Sequence, residues 1–128
     1  MKTHCKVIIA LVAGVAIGGA AVQGLHAQAK PPVYVVAQID VSNPEAYARE
    51  YVPKAMAVNK AHGVRYLALG GKVTNLEGTP PKSRVVIQVW DSLEQVQAAR
   101  NSADFKEARQ IGDKYATFSA FAIEGLTK

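Results

Sequence analysis

Apolar residues recur at every second position from Val33 to Val41, with Val33, Val35, Ala37, Ile39 and Val41 sharing one face. Alternation in a β-branched run predicts a strand. Asn43 then suits a helix N-cap, with Pro44 at the first helical position. Beyond it Tyr47, Tyr51, Ala55, Val58 and Ala61 repeat at three- and four-residue steps. Pro53 removes a backbone donor inside this helix, so a kink or fresh start is expected near Val52. Gly63, just after His62, ends it. Arg65–Leu69 reads as a second strand, continued by Lys72–Leu76 past a bulge or bend at Gly70-Gly71. After a Gly/Pro-rich turn, Arg84–Trp90 is the most strand-like run of the chain. Ser92 caps a further helix, with Gln95 completing a capping box. Asn101-Ser102 breaks that helix and restarts it with the stripe Phe105, Ala108, Ile111 and Tyr115. Residues 117–124 form the last strand.

The order β-α-β-β-α-β within about 90 residues predicts an α+β, ferredoxin-like domain, a four-stranded antiparallel sheet with helices on one face. Alternation assigns Val33, Val35, Ala37, Ile39, Val85, Ile87, Val89, Phe121 and Ile123 to the face beneath the helices. The opposite face then holds Tyr34, Val36, Gln38, Tyr66, Ala68, Val86, Gln88, Trp90, Phe118, Ala120 and Ala122. That second face has no lysine and is too apolar for a solvated sheet surface. A twofold homodimer joined sheet to sheet is the expected solution, with Tyr34, Val36, Gln38, Val86, Gln88 and Trp90 in the interface.

Residues 1–29 lie outside this pattern. Lys2 and Lys6 precede an uncharged run from Val7 to Val22, and Ala27-Gln28-Ala29 fits the small-x-small cleavage pattern. This is the signature of a secretory signal peptide cut before Lys30, leaving residues 30–128 as one exported domain, periplasmic or secreted. The alternative, an uncleaved anchor, needs roughly 20 apolar residues, more than this glycine-bearing run supplies. Removing 29 residues from 128 leaves 99, and losing Lys2 and Lys6 takes the formal charge from +5 to +3. That charge is modest and scattered, which argues against a nucleic-acid partner. Cys5, His4 and His26 leave with the leader, so the mature chain keeps His62 alone as a soft-metal ligand. Neither a metal site nor a cofactor is expected from such a chain.

The segments VYVVAQIDVSNPEAYAREY, HGVRYLALGGKVTNLEG, RVVIQVW, SLEQVQAARNSADFKEAR and FAIEGL follow one another from Val33 to Leu126. Together they resemble the domain of unknown function 1330 family. That family is similar to the dimeric α+β barrel group, so the resemblance implies a sheet-to-sheet dimer. The group includes monooxygenases, haem-degrading enzymes and isomerase-like proteins. The chain departs from the family's pattern in having Leu69 before Gly70-Gly71, where arginine is frequent. It also has Ala99-Arg100 where an aromatic pair precedes Asn-Ser, and Ala103-Asp104-Phe105 where Pro-Glu-Tyr is usual.

Four residues are candidates for a ligand site near the second helix start: His62, Arg65, Asn101 and Ser102. His62 can serve the dipole of the helix it ends or act as an acid-base group. Arg65 can receive an anion or form a surface ion pair. Asn101 and Ser102 can cap the restarted helix or bind a carboxylate at its N-terminus. Trp90, Tyr34 and Tyr66 are interface or core aromatics, or they stack on a ligand. The chain has no nucleophile-base-acid spacing, phosphate loop or paired-carboxylate signature, so no catalytic residue is assigned. The leading expectation is an exported binding or accessory protein for a small organic ligand, with no membrane association after cleavage. A cofactor-free oxygenase or isomerase using a pocket between sheet and helices is the alternative. Haem binding through His62 ranks below both.

Overall fold

The computed structural model describes residues 30–127, and the expected leader, residues 1–29, lies outside the described residues. Pro32–Leu126 forms one compact unit. Strand β1 (Val33–Val41) is central, paired antiparallel with β3 (Arg84–Trp90) on one side and β4 (Ala116–Glu124) on the other. Strand β2 (Arg65–Leu69) pairs antiparallel with β3, giving the sheet order β2-β3-β1-β4. This is the ferredoxin-like α+β architecture that the element order predicts.

The first helical run starts at α1 (Pro44–Ala46), where the Asn43 side chain accepts from the Ala46 N–H at 3.2 Å. It continues through a π-helical turn (Tyr47–Tyr51) into α2 (Val52–Ala61). The π turn is the form taken by the disturbance expected at Pro53. Proline offers no N–H to the carbonyl four residues back, and the preceding Val52 N–H bonds the Tyr47 carbonyl, five residues back. This widened turn buries both Tyr47 and Tyr51. Helix α3 (Leu93–Asn101) is capped by Ser92, whose hydroxyl accepts from the Gln95 N–H at 3.1 Å. The Gln95 carbonyl reaches the Asp91 N–H, one residue earlier than a standard capping box requires. Ser102 ends α3 and caps α4 (Ala103–Gly112).

Two expectations need correction. Lys72–Leu76 does not continue β2. Gly70, at φ +71°, turns the chain after its N–H meets the Val85 carbonyl at 3.0 Å. β3 extends only to Arg84, so little strand remains beyond that point for residues 72–76 to pair with. The irregularity in β2 falls between Tyr66 and Ala68, not at the glycine pair.

The second correction concerns the faces of the sheet. Val35 lies opposite Gln88, Ala37 opposite Val86, and Val33 opposite Trp90. Residues directly opposite in an antiparallel pair share a face. Val86, Gln88 and Trp90 therefore lie under the helices with Val33, Val35 and Ala37, not in an interface with Tyr34, Val36 and Gln38. Phe118, Ala120 and Ala122 join them, while Val85, Ile87, Val89, Phe121 and Ile123 share the outer face with Tyr34 and Val36. Gln88 can sit on the core face because its side-chain oxygen accepts from the Trp90 indole N–H at 2.9 Å, so both polar groups are satisfied. The core joins Ile39, Tyr47, Tyr51, Val86 and Ala108 at one end. At the other end Val33, Val35, Trp90, Val96 and Ala99 pack together.

Candidate functional site

Between the helices and the core face of the sheet lies an open cavity with about 710 Å³ of empty space, its mouth included. Its floor is aliphatic, from Val35, Ala37 and Ile39 of β1 and Val86 of β3. Tyr47 and Tyr51 enter from the π turn, Tyr66 and Trp90 from β2 and β3, and Phe105 and Phe118 from α4 and β4. The rings touch one another: Tyr51 lies 5.2 Å from Tyr47 and 5.3 Å from Phe118, centroid to centroid. Tilted pairs at these distances are favourable beyond their area of burial. Gly112 makes the arrangement fit, because a Cβ there would lie 2.7 Å from the Tyr51 ring and 2.9 Å from that of Phe118.

The polar part of the wall is unusual in its sign. Arg84, Arg100 and Arg109 line the cavity with Asn59 and Gln88, and among the described residues no Asp, Glu, His, Lys or Cys does. Arg84 opens β3 opposite Ile39, and its side chain passes over Gly70, where a Cβ would lie 2.6 Å from the guanidinium carbon. That guanidinium sits 5.4 Å from the centre of the Tyr47 ring. Arg109 stacks at 3.8 Å over Phe118 and at 5.1 Å over Phe105, and Arg100 lies 5.1 Å over Phe105. The Nε atoms of Arg84 and Arg109 are buried and have no hydrogen-bond partner among the described residues. Arg100 keeps part of its surface in water, yet desolvation first, and then repulsion from Arg109, lower its pKa from the guanidinium value. Burial raises the Tyr47 hydroxyl against the opposing pull of Arg84. Burial likewise raises Tyr66, whose oxygen accepts from Asn59 at 3.2 Å.

The four residues singled out from sequence stand elsewhere, none of them on the cavity wall. His62 Nε2 is 3.5 Å from the Asp104 carboxylate. Ser102 and then His62 hold that carboxyl below the ordinary range. Ser102 accepts from the Phe105 N–H at 3.3 Å, and Asn101 is the exposed last residue of α3. Arg65 reaches Asp91 at 3.2 Å on the surface. The structure thus brings His62 and Ser102 together around Asp104 and turns Arg65 to a different carboxylate. Gln95 ties the two places together, accepting from the Asp91 N–H at 2.9 Å and donating to the His62 carbonyl at 2.8 Å. Among the described residues no three His, Cys, Asp or Glu come together as a metal site would require. No helix among them is long and apolar enough to cross a membrane.

The cavity arginines were not evident from sequence, since each resembles an ordinary strand-end or helix-surface arginine. The available signal was spacing: Arg109 lies four residues after Phe105 and next to Ala108, on the edge of the apolar stripe of α4.

No curated protein matches the chain by sequence. Among solved structures, the fold is similar to that of a protein of unknown function from Rhodopseudomonas palustris. The TM-score is 0.64 at 15% identity, over 77% of this chain and 85% of the other. It is also similar to a cofactor-independent oxygenase from Streptomyces nogalater (TM-score 0.58, 15% identity, 77% of this chain and 96% of the other). A dimeric ferredoxin-like protein of unknown function from Thermobifida fusca is a third (TM-score 0.53, 13% identity, 73% and 91%). The segments that suggested a family in the sequence are matched as a whole by one family model, over residues 32–126. The chain belongs to the family of the domain of unknown function DUF1330.

Proposed function

We propose that this chain is an exported homodimer that binds a small organic ligand in the cavity between sheet and helices, as a binding or accessory protein. The observation that carries the reading is the cavity itself, an open, ring-lined space with a few polar groups on its wall. That combination is characteristic of small-molecule sites. Arg84, Arg100, Arg109, Asn59 and Gln88 on the wall suit holding and orienting a ligand, which supports the binding reading. A second reading, cofactor-independent oxygenation of a bound substrate, draws support from the likeness to the Streptomyces nogalater oxygenase.

The dimer reading rests on the outer face of the sheet. Phe121 and Ile123 are 53% and 56% exposed there, beside Tyr34, Val36, Val85 and Ile87. An apolar face of this kind is covered in stable proteins, and the Thermobifida fusca protein is described as dimeric. Export rests on the leader signature of residues 1–29.

Native mass spectrometry on protein purified from its own host tests the main reading. The expected spectrum is a dimer of chains beginning at Lys30 that carries a small-molecule adduct. A ligand-free chain whose Trp90 fluorescence ignores every small organic compound offered would overturn the binding reading. Retention of Met1 would overturn export.

A further inference from the structure

The charge on the cavity wall indicates which organic ligands it accepts. Arg84, Arg100 and Arg109 face one space without a carboxylate among its lining residues. The ion pairs among the described residues are Arg49–Glu50, His62–Asp104, Arg65–Asp91 and Lys82–Asp40, and none takes up a cavity arginine. Like charges in a partly desolvated place repel, and only an anion relieves them without giving up the burial. Stacking on Tyr47, Phe105 and Phe118 offsets part of the cost. It leaves the buried Nε donors of Arg84 and Arg109 unsatisfied. A guanidinium carries five N–H donors in a planar fork that matches a carboxylate at two points. Gly70 holds no side chain, and in that space the Arg84 side chain runs.

We propose that the cavity takes a planar aromatic carboxylate, its charge received by Arg84 and Arg109 and its ring packed among the aromatic side chains. The inference rests on the ligand-binding reading and adds the class of ligand.

The test uses the full chain and two matched pairs of probes: benzoate with benzyl alcohol, and 2-naphthoate with 2-naphthalenemethanol. Each pair differs in the charged group and little else. Trp90 is the only tryptophan and lies on the cavity wall, so its fluorescence reports occupancy, with calorimetry as a second measure. At least one carboxylate is expected to bind tenfold or more tightly than its alcohol. Arg84→Met and Arg109→Met should each abolish that preference while the alcohol's affinity is unchanged. Lys82→Met, a surface cation paired with Asp40, should leave it intact. Where Arg84→Met does not fold, Arg84→Lys keeps the charge but loses the two-point fork, and carboxylate affinity should still fall severalfold. Equal binding of acid and alcohol, or a preference that survives the arginine substitutions, overturns the anion inference and leaves ligand binding standing. Failure of all four probes to bind overturns the aromatic-carboxylate inference, while the ligand-binding reading is decided separately by the native mass spectrum.

Discussion

Gly112→Ala is a small change with opposed consequences that the structure weighs. Gly112 is the last residue of α4 and is buried. Its φ lies outside the positive range, so alanine strains nothing in the backbone. On helix propensity alone the substitution should stabilise by at most about 1 kcal/mol. Packing works the other way. The new Cβ would fall 2.7 Å from Cδ1 and Cε1 of Tyr51 and 2.9 Å from Cζ of Phe118. These are rigid rings packed against each other and beside the Tyr47 ring, so neither can retreat by turning a flexible tip. Overpacking of this kind costs roughly 1–3 kcal/mol, which exceeds the helix gain. With the full helix gain set against it, the net expectation is a loss of up to about 2 kcal/mol. For a domain of this size each kcal/mol corresponds to a drop of about 4–8 °C in Tm. Urea denaturation followed by Trp90 fluorescence measures it, with Gly71→Ala as control, since a Cβ there meets nothing within 4 Å. The control should stay within about 0.5 kcal/mol of the parent chain. A Gly112→Ala chain as stable as the parent, or more so, would show that the Tyr51–Phe118 stack yields freely and would refute the packing argument.

The register separates Val36 from Val86, which simple alternation puts on one face, and moves Ile87 to the outer face beside Val36. Val36→Lys or Ile87→Lys, on the outer face, should dissociate the proposed dimer in sedimentation with the fold retained. Val86→Lys, at a residue 6% exposed beneath the helices, should unfold the subunit by about 3 kcal/mol or more, as an unpaired buried charge does. Alkaline stability follows from the cavity tyrosines. The folded-state pKa values of Tyr47 and Tyr66 are raised by burial above the ordinary phenol value of 10.0. The neutral phenols therefore contribute stability that is fully present below pH 10.0 and is lost as pH rises through the folded values. Tyr47→Phe with Tyr66→Phe should flatten that alkaline loss in denaturation curves recorded across the range. An unaltered slope would refute the assignment.

Most of the element order was legible along the chain because it depends on local physics. Alternation in Val33–Val41, the Asn43-Pro44 start, the donor missing at Pro53 and the Ser102 cap each act within a few residues, and each reappears in the structure. Register is different in kind. The two sets of β3, Val85-Ile87-Val89 and Val86-Gln88-Trp90, are both largely apolar, and only pairing with β1 decides which lies inward. The lone polar residue, Gln88, pointed to the wrong face, since its bond to Trp90 exists only once both side chains stand on one sheet surface. The limit on the second strand was likewise non-local, because residues 72–76 needed a partner length that β3 does not provide.

The cavity depended on tertiary structure to a greater degree. Tyr47 and Tyr51 were recognisable as a buried helix face, and His62 and Ser102 as polar groups near a helix junction. Nothing within reach of Arg84, Arg100 or Arg109 in sequence marks them as neighbours. They are brought to one space by three separate elements, a strand and two helices. The sequence by itself determined the helices and the order of helices and strands, since those follow from backbone donors and apolar periodicity. Only the tertiary structure decided which charges share one cavity wall, because that depends on distances between segments that no local pattern encodes.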